Sequence, residues 1–302
     1  MTQEYYSNGK LLLSGEYAIL DGAEGWAIPT KFGQNLKVTG NSSGILTWTS
    51  IDADGTTWFQ CEYDVYNLAI VSTTDEEISN KLITILKEAQ NLAPNFLKDS
   101  NGFMVETTLT FPRNWGLGTS STLINNIAQW SKTNPYMLLK KSFGGSGYDI
   151  ACAQHDSPIL FKIENKQPVI SRIGPELSYS EQLYFVYLNQ KKNSRDAIAA
   201  YRKQPIDKKG LTTKITDLTK QLYQSKTLLE FEAALDLHET ILSNALKIPT
   251  IKEELFPDYS GSIKSLGGWG GDFVMVTARE NTLTYFNQKG YNTILSYSEM
   301  AL

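Results

Sequence analysis

The sequence is poor in the residues that most often announce chemistry: its 302 residues include two cysteines, Cys61 and Cys152, and two histidines, His155 and His238. Two cysteines cannot build a disulfide framework, and these have no metal-ligand spacing. Zinc and histidine-driven catalysis therefore have little raw material. No apolar run approaches the ~20 residues that cross a bilayer, which excludes a spanning helix. The polar stretch Met1–Lys10 lacks the apolar core of a secretory signal, so a reduced, cytoplasmic setting is expected. A basic excess is missing too. Lys and Arg number 28 against 32 Asp and Glu, a formal net charge of −4, whereas binding a nucleic-acid backbone needs a basic face. What is present is ordinary globular material, 41% hydrophobic and 20% charged, long enough to bury one large core or two.

Along the chain, Lys10-Leu11-Leu12-Leu13 reads as a buried strand broken by Ser14-Gly15. Strand signals recur at Leu36–Val38, Gly44–Trp48 and Thr56–Cys61, with turn residues between them. The first helix comes after Thr74, with Ile78, Leu82, Ile85, Leu86 and Ala89 on one face; Thr74 and Glu77 spell a capping box, and Pro94 stops it. Phe103–Phe111 alternates as a strand, and a helix is predicted from about Ser120 to Trp130. A short helix is predicted over Tyr148–Ala153, then strands at Ile159–Ile163, Val169–Ile173 and Leu183–Leu188. Helix resumes at Asp196–Arg202. Two longer amphipathic helices come next, one through Leu211, Ile215, Leu218 and Leu222, the other through Leu228, Phe231, Leu235, His238 and Leu242. A strand at Phe273–Thr277 precedes a last helix and strand. Strands early and helices late predict an α+β protein with a boundary near residues 165–180, giving segments 1–170 and 171–302.

Three glycine-bearing sites stand out. Pro112-Arg113-Asn114-Trp115-Gly116-Leu117-Gly118-Thr119-Ser120-Ser121 lies between a strand and an amphipathic helix. Its glycines let backbone N–H groups turn inward, the helix start adds a positive dipole end, and the hydroxyls can hold phosphate or Mg²⁺. It is neither a Walker loop, lacking the Lys, nor a Rossmann fingerprint, lacking the third glycine. A tight turn with a serine N-cap explains part of it but not the whole set. Gly144-Gly145-Ser146-Gly147-Tyr148-Asp149 places a carboxylate after a flexible turn, as a helix N-cap or as a general base. Gly267-Gly268-Trp269-Gly270-Gly271-Asp272 packs four glycines into five positions before a strand, more than a simple hairpin needs.

These sites, preceded by Gly9-Lys10-Leu11-Leu12-Leu13-Ser14-Gly15-Glu16-Tyr17-Ala18, resemble in their order the GHMP kinases, the small-molecule kinases named for galactose, homoserine, mevalonate and phosphomevalonate. The Pro112–Ser121 block is similar to that family's phosphate-binding signature, Pro-x-x-x-Gly-Leu-Gly-Ser-Ser. The opening, Gly271-Asp272, and the run through Asp149 look most like the mevalonate and phosphomevalonate kinase branch. The resemblance implies a two-domain α+β fold, the N-terminal domain like domain 2 of ribosomal protein S5 and the C-terminal one ferredoxin-like. It implies a magnesium-dependent kinase that moves the γ-phosphoryl group of ATP to a mevalonate-pathway acid in isoprenoid biosynthesis.

By the same resemblance, Asp149 accepts the acceptor's proton and Lys10 neutralises charge beside it. Pro112, Gly116, Leu117, Gly118, Thr119, Ser120 and Ser121 line the phosphate loop, with Ser120 on Mg²⁺. Gly267, Gly268, Gly270 and Gly271 form a further cofactor loop, and Glu16, Tyr17, Ser194 and Arg195 face the substrate. The implied partner is a small anionic substrate, with no nucleic acid or membrane, in a monomer or homodimer. Three departures accompany the likeness. Trp269 stands where the family has a small residue; no acidic residue lies between Thr122 and Tyr148, where mevalonate kinases place a Mg²⁺-binding Glu; and only about thirty residues separate the phosphate loop from Asp149. A kinase for homoserine or a sugar, a diphosphomevalonate decarboxylase, and a nucleotide binder without catalysis stay open as alternatives. His238, with apolar neighbours at helical spacing, reads as a core histidine.

Overall fold

A computed structural model describes residues 2–98, 101–173, 177–190, 194–267 and 271–302; the side chains of residues 194–197 and 200 also lie outside the description. The chain starts with strands β1 (Thr2–Ser14), β2 (Gly25–Gly40), β3 (Ile45–Ile51), β4 (Thr57–Asp64) and β5 (Ile70–Thr73). Helix α1 (Glu76–Leu92), strand β6 (Phe103–Leu109) and helices α2 (Thr119–Ser131), α3 (Pro135–Ser142) and α4 (Tyr148–Gln154) come after them. Next are β7 (Ile159–Glu164), β8 (Gln167–Arg172), β9 (Leu183–Tyr187), α5 (Ser194–Lys203), α6 (Lys208–Gln224), α7 (Leu228–Leu246) and α8 (Ile251–Leu255). The last elements are β10 (Ile263–Ser265), β11 (Phe273–Thr277), α9 (Thr282–Gln288), β12 (Ile294–Ser296) and α10 (Tyr297–Met300).

Two compact units divide the chain, and they interleave. The first holds Met1–Gly9, Phe32–Arg113 and Leu117–Gln154; the second holds Lys10–Lys31, Asn114–Gly116 and His155–Leu302. The sequence predicts contiguous segments instead, 1–170 and 171–302. The difference lies in Asn114–Gly116 and residues 155–170, which fall in the second unit, and in β1 and β2, each of which begins in one unit and ends in the other. Their lengths, 13 and 16 residues, exceed the usual strand, and composition carries no mark of where ownership changes.

In the first unit the strand order is β5-β4-β3-β6-β2, with β3 and β6 parallel and the other pairs antiparallel. Leu36, Trp48, Phe59 and Val105 of the sheet meet Leu82, Ile85 and Leu86 of α1, Ile124 and Ile127 of α2, and Leu139 of α3 in one buried core. The apolar face expected for α1 is the buried one. Its cap differs: Asp75 accepts the N–H of Ile78, while Thr74 is engaged with the backbone of Gln60, so the Thr74–Glu77 box does not form. Helix α3, which apolar spacing does not predict, starts from an Asn134 cap and Pro135 in its first turn, a signal present in the sequence.

In the second unit, Gly25–Ala27 of β2 pairs with β7, and β7 with β8. A separate antiparallel sheet runs β10-β11-β9-β12. Val186, Phe256, Ile263, Val274 and Phe286 fill one core, and Tyr17, Tyr201, Ile215 and Leu242 another. The chain end returns to β2: the Leu302 N–H donates to Pro29 O at 3.1 Å, and Thr30 bridges Ala301. Among the described residues, no helix is long and apolar enough to cross a membrane.

Candidate active site

The first unit carries an anion-ready helix start. Gly118 caps α2 in the left-handed region at φ 98°, and no side chain caps the first turn. A helix thus begun leaves N–H groups and the positive dipole end directed outward. The start differs from expectation by one residue, with Thr119 rather than Ser120 opening the helix. The hydroxyls divide their work. Ser121 donates to Gly118 O at 2.8 Å and Thr122 to Gln34 Oε1 at 2.7 Å, while Ser120 is exposed at the helix mouth. Leu117 is fully buried and anchors the loop.

A buried polar network fixes α2. Ser7 Oγ donates to Asn126 Oδ1 at 2.7 Å, Asn125 Nδ2 donates to Ser7 Oγ at 2.8 Å, and Asn126 Nδ2 donates to Gln34 O at 2.9 Å. Asn125 Oδ1 is left without a partner, but the three bonds tie α2 to β1 and β2, and a shift of the helix would break them.

Asp149 sits in the first turn of α4, which packs against α2. It is not the N-cap: it lies one residue inside the helix, half-buried, and its Oδ1 accepts the Ile150 N–H at 3.0 Å. Gly144, Gly145 and Gly147 precede it at φ 71°, 113° and 92°; a Cβ at either of the first two would meet nothing, so conformation and not close contact demands glycine there.

The second unit holds Lys10 and Asn114–Gly116. Lys10 Nζ donates to Gly116 O at 2.9 Å. Gly116 has φ 69°, and the Asp272 carboxylate occupies the space a Cβ would need. Trp115 lies edge-on to Phe273, ring centroids 5.5 Å apart, and Tyr187 donates its hydroxyl to Asn114 O at 3.3 Å. Pro112 is half-buried ahead of a single 3-10 turn, Arg113–Trp115. Gly267 has φ 74° with open space about it, and Gly271 is buried. Gly268, Trp269 and Gly270 lie outside the described residues, as do the side chains of Ser194 and Arg195, which belong to α5.

Glu16 and Tyr17 are both buried in the second unit. Tyr17 stacks on Tyr201 at 5.3 Å, and the Tyr201 hydroxyl donates to Asp21 Oδ2. Glu16 joins a cluster that sequence reasoning missed. Lys264, with no exposed surface, donates to Glu16 Oε1 at 2.7 Å and to Glu239 Oε1 at 3.0 Å. His238 completes it as a core histidine, its Nε2 accepting from the Gly15 N–H and lying 3.6 Å from Glu16 Oε2. Burial holds His238 well below its ordinary value, reinforced by the Lys264 charge, so it is neutral. Burial pushes Glu16 from its ordinary 4.5 to about 7, against the pull of Lys264.

A carboxyl raised on folding stabilises the folded chain fully below its unfolded value and loses that contribution as pH climbs through about 7. Glu16→Gln keeps an acceptor for Lys264 and offers an amide donor towards His238. Between about pH 5 and 8 the wild type should therefore lose about 1–3 kcal/mol relative to Glu16→Gln, read as diverging thermal midpoints. Parallel pH curves for the two proteins would contradict this.

Among the described residues, no group of three or more His, Cys, Asp or Glu side chains is gathered to hold a metal. No protein-family model and no curated protein sequence matches the chain. Solved structures do. The mevalonate kinase of Methanococcus jannaschii is similar at TM-score 0.71 and 15% identity, over 100% of this chain and 98% of that one. Phosphomevalonate kinase of Streptococcus pneumoniae, solved with phosphomevalonate and AMPPNP, gives 0.71 and 15% over 97% and 98%. Galactokinase of Lactococcus lactis, solved with galactose, gives 0.69 and 13% over 98% and 92%. The matches span mixed sheets and helices alike, and the chain has the two-domain α+β fold of the GHMP kinases.

Proposed function

We propose that this protein is an ATP-dependent kinase whose acceptor is a mevalonate-pathway acid, mevalonate or phosphomevalonate, acting in the cytoplasm in isoprenoid biosynthesis. The observation that carries the reading is the uncapped start of α2 after a left-handed Gly118, in a fold shared with kinases of those two acids. Phosphoryl transfer is mostly positioning and charge stabilisation, so backbone N–H groups, one Lys and one Asp suffice.

Bound ATP supplies the phosphoryl group. The N–H groups of Thr119, Ser120 and Ser121 and the Gly116–Gly118 turn bind its phosphates, and Lys10 adds positive charge. Asp149 holds the acceptor hydroxyl and takes its proton at the carboxylate. Ser120, exposed at the helix mouth, would offer its hydroxyl to Mg²⁺, and the ion would neutralise charge on the nucleotide phosphates.

The test is ATP consumption with mevalonate, phosphomevalonate, diphosphomevalonate, homoserine and galactose in parallel. Turnover is expected with mevalonate or phosphomevalonate. Turnover confined to another acceptor reassigns the substrate, and ATP binding without turnover on any of them overturns the kinase reading.

A further inference from the structure

Strand β10 is only three residues long and lies at an edge of its sheet, pairing with β11 through Ile263–Val276, Lys264–Met275 and Ser265–Val274. A short edge strand leaves backbone groups open on one side. Here a side chain closes that side. Glu239, from α7, accepts the Ser265 N–H on Oε2 at 3.1 Å and the Lys264 ammonium on Oε1 at 3.0 Å. Lys264 spends its other two donors on Glu16 Oε1 and on Ser265 O at 3.0 Å. Every ammonium proton has a partner, and both Glu239 oxygens grip the strand.

Burying one ammonium with two carboxylates is a poor way to gain stability, since desolvation offsets most of the attraction. The grip does set the place of the backbone beyond Ser265. Leu266 N–H donates to Phe273 O at 3.1 Å, continuing the β10–β11 pairing. Phe273 meets the Trp115 ring, and the Asp272 carboxylate lies against Gly116, whose carbonyl accepts from Lys10. An unbroken path of named contacts thus runs from Glu239 to the Gly116 turn inside one compact unit.

We infer that Glu239 and Lys264 are positioning residues for nucleotide binding: their buried grip on β10 sets the β10–β11 pair, which in turn fixes the Asn114–Gly116 tip of the phosphate-binding loop. This rests on the kinase reading above. Neither residue touches a reacting atom, so the effect falls on the affinity for ATP and not on the chemical step.

Glu239→Gln tests it, because an amide has one acceptor oxygen. Whichever way it turns, either the Ser265 N–H or the Lys264 ammonium loses its partner. ATP affinity, measured by calorimetry on the whole chain, should fall about 10-fold, and KM for ATP should rise in step, with kcat within about threefold. Glu232→Gln is the control. Glu232 also lies on α7, but it pairs with Arg279 at 2.7 Å and takes the Thr277 hydroxyl, beyond the far end of the β10–β11 pair. It should lower the thermal midpoint without moving ATP affinity. Wild-type affinity in folded Glu239→Gln, or an equal loss in Glu232→Gln, overturns the inference alone. A wild-type chain that binds no ATP overturns the kinase reading and this inference with it.

Discussion

Asp149→Asn should cost at least about 100-fold in kcat while leaving ATP affinity within a few-fold of wild type. The amide is the same size, and its oxygen can still accept the Ile150 N–H that Asp149 Oδ1 now takes. Helix α4 is secured from below by Ile150, Ala151 and Cys152, all fully buried, so the fold has no reason to change. What the amide cannot do is accept a proton from the acceptor hydroxyl. Initial rates at saturating ATP and acceptor, with circular dichroism as a check on folding, decide the matter. A variant within about tenfold of wild type would place the general base elsewhere.

Lys10→Met should lower kcat/KM by about 100-fold or more, spread over both constants. Methionine keeps much of the length of the side chain and loses its charge and its donors. The structure gives one effect and the proposed function a second. The Gly116 carbonyl loses the partner it has at 2.9 Å, which loosens the loop tip and raises KM for ATP. The transferred phosphoryl group loses a positive neighbour, which lowers kcat. Lys10→Arg should recover part of the second effect and less of the first, since a planar guanidinium does not reproduce a compact ammonium. An unchanged kcat in Lys10→Met would leave Lys10 a loop brace only.

The parts of this protein legible in its sequence are those written locally. Helices α1, α6 and α7 come from apolar spacing alone, and the glycine-bearing turn into α2 from ten consecutive residues. Differences of detail are local competitions. Asp75 wins the α1 cap from its neighbour Thr74, and Gly118 wins the α2 start from Ser120, because a left-handed glycine turns the chain into the helix one residue earlier. Strand β2 gives no strand signal over Gly25–Gln34, where most side chains are buried on both faces and Pro29 breaks any alternation. The Glu16–Glu239–Lys264 cluster is out of reach for a different reason. Lys264 pairs with Glu16 across a separation of 248 residues, and an isolated lysine between Ile263 and Ser265 gives no hint of complete burial. The Ser7–Gln34–Asn126 network is hidden likewise, three polar residues whose partners are known only once the strands are laid beside α2.

The split ownership of β1 also has a temporal side. As the chain leaves the ribosome, the first unit has all its residues once Gln154 has emerged. The segment Lys10–Lys31 is made well ahead of the rest of the unit it belongs to: Ser14 waits 205 residues for Thr219, and Gly15 waits 223 for His238. Until then the bonds of Ser14 and Gly15 to the helices of their unit cannot form, and closing so long a loop costs chain entropy. The contact of Lys10 with Gly116 is one of those long closures, made between two short segments that join the later unit.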